Sequence, residues 1–269
     1  MRTPTSAAYT TDEMMTVAAA RMLRNGAVCF VGIGLPSTAA NLARLTHAPD
    51  AVLVYESGTI GAKPRVLPLS IGDGQLAETA DTVVSTPEIF RYWLQGGRID
   101  VGFLGAAQLD RFANLNTTVI GPYGKPKVRL PGAGGAPEIS SSAKEVLIVV
   151  KQSKRTFVER LDFVTSAGFL TGGDARERAR LPGKGPVAVI TDLCILRPHV
   201  TTRELEVTSI HPGVDRGAIA DNTGWKVRFA ERCDATAPPS AQELQVLRDL
   251  QARTAAAHGG TDGAAAESA

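Results

Sequence analysis

Glu56 is the side chain whose setting could do chemistry. It follows an unbroken apolar run, Ala51, Val52, Leu53, Val54 and Tyr55, and precedes Ser57, Gly58 and Gly61. Such a run is short enough for a strand covered on both faces. The small residues after it suit a tight turn. A carboxylate at the carboxyl end of a parallel strand stands where open α/β sheets bind their ligands. From spacing alone, Glu56 could equally cap a following helix or meet a basic side chain.

Two glycine clusters add to this. Gly32 and Gly34 follow a second apolar run, 27–31, and precede Leu35, Pro36 and Ser37. Ser37 stands where a dinucleotide fingerprint requires its third glycine, so that function is excluded and a tight turn or ligand loop remains. Gly132, Gly134 and Gly135 lie within 131–137, where three glycines in four residues are incompatible with a regular element. Backbone N–H groups there could converge on an oxyanion, at about 3 kcal/mol per preorganised donor, or the stretch could be a structural loop. Asp110 to Asn116 has side chains that can satisfy a loop internally. His211 follows a strand with no adjacent carboxylate, which favours a structural role over acid–base work.

The elements that must position these residues can be placed in order. Thr10 and Glu13 have capping-box spacing and open a helix with Met15, Ala18, Ala19 and Met22 on one face, ending at Gly26. A strand over 27–31, a helix over 37–45 and the strand ending at Glu56 make a β-α-β unit. Residues 62–80 form an ordered excursion over the site, because Val66, Leu67, Leu69 and Ile71 would be costly to leave in water. Thr86, Pro87 and Glu88 start a helix that carries Ile89, Phe90 and Trp93 and stops at Gly96 and Gly97. Strands follow at 99–104, 145–150, 187–191 and 204–210, with an exposed loop at 172–186. Ser240 and Glu243 repeat the capping box before a helix carrying Leu244, Leu247 and Leu250. The alternation predicts one α/β domain over 10–254 with an open, mainly parallel sheet flanked by helices. Residues 1–9 are expected to be loose, and the Ala-, Gly- and Ser-rich stretch 255–269 a disordered tail.

Composition sets the outer limits. The chain has 269 residues, 43% apolar and 21% charged, with a net charge of +2. That balance lacks the basic field of a nucleic-acid binder. The three cysteines, Cys29, Cys194 and Cys233, have no metal-ligand spacing, and the first two sit in apolar runs as buried small hydrophobes. No apolar run approaches ~18 residues and no signal-peptide core is present, so a cytoplasmic protein with no membrane partner is expected.

The stretch from Tyr55 to Gly61, with Glu56, Ser57, Gly58, Thr59 and Ile60 between them, resembles the signature of family I CoA-transferase β subunits. It takes the Glu-Ser-Gly form of the glutaconate and 3-oxoadipate branch. The likeness runs from about Thr10 to Arg253 and is closest to the 3-oxoadipate side of that branch, as in 61–70 and 97–105. It implies the CoA-transferase fold and a nucleophilic Glu56 that carries CoA as a glutamyl thioester. It also implies backbone donors at Gly132, Gly134 and Gly135, and a substrate or CoA loop at Gly32, Gly34, Ser57 and Gly58. The Asp110–Asn116 turn carries Ala113 where the family has glycine, which questions the local backbone geometry. No metal and no permanently bound cofactor are implied; the CoA thioester is a substrate. The expected partner is an α-type subunit, in a heterodimer and most simply an α2β2 complex. The expected reaction moves CoA from succinyl-CoA to a dicarboxylic 3-oxoacid, 3-oxoadipate, in aromatic-compound catabolism. Lys63, Arg65, Lys125, Lys127 and Arg129 are candidates for the acid's distal carboxylate. Glutaconate or another dicarboxylate remains an alternative acceptor. A non-catalytic effector sensor is the alternative of another class, and relatives acting as decarboxylases or ring-opening hydrolases depart at the glutamate.

Overall fold

The computed structural model describes residues 9–259. The expected loose segment 1–8 and the tail from 260 onward lie outside them, whereas Tyr9 packs partly buried against the core. The chain opens with α1 (Thr11–Ala20), closed at its start by the capping box of Thr10 and Glu13. It continues through β1 (Val28–Phe30), α2 (Leu35–Leu45), β2 (Val52–Val54) and β3 (Thr59–Ile60). After α3 (Gly74–Glu78) and β4 (Thr82–Val83), α4 (Thr86–Glu88) runs directly into a π-helix, Ile89–Leu94. Then come β5 (Val101–Leu104), β6 (Gln108–Leu109), β7 (Leu115–Asn116), β8 (Val119–Ile120) and β9 (Val128–Arg129). The second half holds α5 (Ala136–Ser142), β10 (Glu145–Val149), α6 (Ala175–Arg178), β11 (Pro186–Ile190), β12 (Cys194–Pro198) and β13 (Leu205–Ile210). It ends with α7 (Arg216–Asp221), β14 (Arg228–Ala235) and α8 (Ala241–Ala257).

Ten strands form one mixed sheet in the order β14-β13-β12-β11-β10-β5-β1-β2-β3-β4. The five central strands, β11 to β2 in that order, are parallel. Alternate strand residues enter opposite cores, as their apolar runs require. Cys29, Leu53, Tyr55, Phe103 and Leu147 face one core with α1, α2 and α8. Phe30, Val54, Leu104, Val146 and Ile148 face the other. The chain passes from β1 to β2 on one side and returns to β5 on the other side of β1. The strand order therefore reverses between β1 and β5, which makes the carboxyl ends of these two strands the natural ligand crevice.

Several expectations need correction. No helix follows Glu56: the chain turns back as the antiparallel pair β2–β3, with Gly58 N–H donating to the Tyr55 carbonyl at 3.0 Å. The helix expected from Thr86 is α-helical for three residues only and then winds as a π-helix, a change that leaves no mark in apolar periodicity. Leu69 and Ile71 are exposed at 64% and 42%, not buried, while Val66 is buried. The expected loop 172–186 contains α6 and a buried side chain, Arg176. Its guanidinium donates to the carbonyls of Ser140, Ser141, Gly168 and Gly183, and burial lowers its pKa to about 10. The last helix continues past 254 to Ala257, because alanine is the best helix former.

The two ends of the domain are clamped together. Arg21 forms a bidentate pair with Glu243, both contacts at 2.7 Å, and Arg248 donates to Glu13 at 2.6 Å. Burial raises the Glu243 pKa, but hydrogen bonds from Arg21 and Ser240 outweigh it and hold the carboxyl at about 2, against an ordinary 4.5. A depressed carboxylate contributes stability above its unfolded pKa and loses it as pH falls through the folded value. The stability difference between wild type and Glu243→Gln is therefore expected to be constant above pH 5 and to shrink between 4.5 and 2. Urea titrations across that range measure it, and an unchanged difference at pH 2 would contradict the assignment.

Candidate active site

The carboxyl ends of β1, β2 and β5 open into a cavity of about 420 Å³. β1 contributes Phe30, Val31, Gly32 and Ile33, β5 contributes Phe103 to Ala107, and Glu56 stands beside them just beyond β2. Leu130 to Ala136 close the opposite wall, and Ile71 from the 62–80 excursion stands at the rim. Glu56 is the one ionisable side chain among the described residues lining this space. It has no hydrogen bond or ion pair within the described chain, so the capping and ion-pair alternatives both fail.

Its support comes from behind. Tyr55 is fully buried, and its phenol meets Ser37 Oγ at 3.1 Å and Asn41 Nδ2 at 3.5 Å. Ser37 and Asn41 lie on α2, whose N-terminal loop supplies Gly32, Ile33 and Pro36 to the cavity. One buried polar cluster thus joins the nucleophile-bearing turn to the glycine loop, and a fully satisfied cluster of this kind fixes relative position. Burial raises the Tyr55 pKa, which keeps the phenol neutral.

The expected site residues separate into groups. Gly32, Glu56, Gly132, Gly134 and Gly135 line the same cavity; Gly34, Ser57 and Gly58 do not. Gly34 is the N-cap of α2 with φ +78°, a turn residue. Ser57 is half-buried, and its Oγ is enclosed without a hydrogen-bond partner. Gly58 is needed for close approach: a Cβ there would lie 1.9 Å from the Val84 carbonyl oxygen, and Val84 N–H donates to Gly58 at 2.9 Å.

The three glycines of the opposite wall also differ. Gly132 N–H already donates to the Thr117 carbonyl at 2.9 Å, so it is not a spare donor. The N–H groups of Gly134 and Gly135 have no partner among the described residues and remain available. Gly135 has an ordinary backbone, φ −83°, so its requirement is space rather than conformation. A Cβ added there would lie 2.8 Å from Phe90 Cζ and 3.4 Å from Glu56 Oε2. Phe90 comes from the π-helix and packs on Phe30 with ring centroids 6.0 Å apart. Sequence reasoning missed this role for Phe90; a π-turn has no residue pattern to announce it.

Other expected residues sit elsewhere. None of Lys63, Arg65, Lys125, Lys127 and Arg129 lines the cavity, and Lys63 pairs with Asp81 at 2.9 Å. His211 is buried between the Thr191 carbonyl (2.8 Å) and Thr236 Oγ1 (3.0 Å), and burial lowers its pKa. That is a structural histidine. Asp110 accepts from the N–H groups of Phe112 and Asn114 and from Asn114 Nδ2, all at 2.9 Å, so the 110–116 loop is satisfied internally. Ala113 adopts φ +58°, the left-handed geometry that glycine would take without strain. Cys29 and Cys194 are fully buried, as expected. No group of His, Cys, Asp or Glu among the described residues could hold a metal ion, and no helix among them is long and apolar enough to cross a membrane.

A family model described as Coenzyme A transferase matches residues 12–222. The β subunit of the 3-oxoadipate CoA-transferase of Pseudomonas knackmussii is 73% identical over 252 residues, covering 94% of this chain and 97% of that one. The β subunit of the glutaconate CoA-transferase of Acidaminococcus fermentans is 34% identical over 247 residues, covering 90% and 92%. The crystal structure of glutaconate coenzyme A-transferase from the same organism superposes with a TM-score of 0.84 at 31% identity, over 90% of this chain and 94% of that one.

Proposed function

The chain belongs to the coenzyme A transferase family, and from that premise we propose that it is the β subunit of a 3-oxoadipate CoA-transferase. It acts with an α-type partner, most simply in an α2β2 complex, and Glu56 is its nucleophile. The observation that carries the reading is the position of Glu56: an unpaired carboxylate at the strand-order reversal, in a cavity with no other ionisable lining residue.

The chemistry follows from an acyl exchange through that carboxylate. A Glu56 oxygen attacks the thioester carbonyl of succinyl-CoA, giving a mixed anhydride and the CoA thiolate. The thiolate attacks the glutamyl carbonyl and succinate leaves, so that CoA is held as a glutamyl thioester. A carboxylate of 3-oxoadipate attacks this thioester and the returning thiolate takes the 3-oxoacyl group, which regenerates Glu56. The kinetics are ping-pong. The N–H groups of Gly134 and Gly135 are placed to donate to the oxyanion that each attack creates. The apolar lining excludes water, which would otherwise hydrolyse the thioester.

The test is co-purification with an α-type subunit, exposure of the complex to succinyl-CoA, borohydride treatment and peptide mass analysis. Reduction of the Glu56 carboxyl to a primary alcohol, only after succinyl-CoA, is expected. An active complex with an unmodified Glu56, or full activity of this chain alone, would refute the reading.

A further inference from the structure

The hairpin β8–β9 is rooted in the cavity wall. Thr117 and Leu130 to Gly132 line the cavity. They are tied together by Leu130 N–H to the Thr118 carbonyl (3.0 Å), Gly132 N–H to the Thr117 carbonyl (2.9 Å) and Thr117 Oγ1 to the Gly132 carbonyl (2.8 Å). From that root, residues 118–129 project with three cations, Lys125, Lys127 and Arg129, and no acid. All three are exposed, and none forms an ion pair among the described residues. Elsewhere on the surface Lys63, Lys144, Lys151 and Lys184 each sit beside a carboxylate.

The hairpin is stiffened for its length. Lys127 N–H donates to the Ile120 carbonyl at 2.8 Å and Lys125 N–H to the Pro122 carbonyl at 3.0 Å. Gly121, at φ +86°, makes room for the stem of Lys127, whose Cγ would lie 3.2 Å from a Cβ there. The Arg129 guanidinium lies 5.0 Å from the Tyr123 ring centre, and Tyr123 stacks on Phe163 at 5.4 Å. Asp162, the acid next to Phe163, is engaged by Gln108 Nε2 at 2.8 Å.

An unpaired cationic arm beside a cavity suits an anion attached to whatever enters that cavity. The thioester substrate carries its phosphates at the far end of the pantetheine arm, roughly 15 Å away if that arm is likened to four or five extended residues. Those phosphates cannot enter an apolar cavity whose only charge is negative. At about 3.3 Å per strand residue, Lys127 stands about 10 Å out from Leu130 on the cavity wall. We propose that β8–β9 is a phosphate-binding arm that holds the nucleotide end of the CoA thioester through Lys125, Lys127 and Arg129; this rests on the transferase reading above.

The test is K125E/K127E in complex with the α-type subunit, assayed with succinyl-CoA and with succinyl-pantetheine, which lacks the phosphates. The KM for succinyl-CoA should rise about tenfold or more, equivalent to roughly 1.4 kcal/mol. kcat and the KM for succinyl-pantetheine should stay at wild-type values, and the succinyl-CoA penalty should narrow at high salt as screening removes the wild-type advantage. Equal effects on both thioesters, no effect on either, or loss of assembly would overturn the proposal; the last would make the hairpin a subunit contact. Calorimetric titration of free CoA and of pantetheine into wild type and variant decides the same question without turnover. A wild-type complex inactive in transfer would count against the transferase reading, while the titrations still judge the arm.

Discussion

Glu56→Gln leaves the complex folded and lowers turnover by about three orders of magnitude or more, because the amide closes the covalent route while keeping the side chain's size. The unpaired state of Glu56 makes this contrast sharp. A carboxylate that capped a helix or answered a cation would lose about 1 to 3 kcal/mol of stability on amidation. Here no such partner exists among the described residues, so the melting curve should hardly move. The experiment pairs that curve with initial rates of 3-oxoadipyl-CoA formation, the α-type subunit present in both. A variant that melts early yet keeps most of its activity would remove Glu56 from the mechanism.

The second large effect is expected from a single methyl group. Gly135→Ala places a Cβ against Phe90 Cζ and beside Glu56 Oε2, at 2.8 and 3.4 Å before relaxation. Either the ring or the carboxylate must give way. A displacement near 1 Å at a reacting group can cost about a hundredfold, so kcat should fall by that order. Shortening the ring distinguishes this cause from a general loss of fold. In Gly135→Ala with Phe90→Leu, the atoms at 2.8 and 3.0 Å are gone, and much of kcat should return. Contacting sites that share one strain show this coupling in a double-mutant cycle. Additive losses, or a full-rate Gly135→Ala, would show that the contact does not hold the nucleophile.

How far the site was legible depended on the kind of signal. Glu56 stood out because a charge ends an apolar run, and the strands were legible because both faces of the sheet are buried. The capping boxes at Thr10 and Ser240 were read correctly because their hydrogen bonds are local. Short-range composition could not show the rest. β3 is two residues long, too short for any periodicity. The π-helix differs from an α-helix in hydrogen-bond offset, not in residue types. α5 hides behind the glycine cluster, with Gly135 as its N-cap and a proline in its first turn. The three glycines look alike in sequence, yet one N–H is already engaged, two are spare, and one residue is small to accommodate Phe90. Arg176 looked like one charge among many in a polar stretch, and only tertiary structure shows it caged by carbonyls.

The clamp between α1 and α8 sets an order of events during synthesis. Arg21 and Glu243 are 222 residues apart, so the chain emerges almost whole before the pair can form. Met14, Met15, Val17 and Leu247 share one core, and the earlier three have no cover from α8 while the nascent chain grows. Chains with exposed apolar faces and long-range parallel pairing are slow to close and prone to aggregate. The ribosome therefore holds a half-finished sheet with one naked side, and the final helix is the seal that lets the folded chain leave in a form fit to meet its partner.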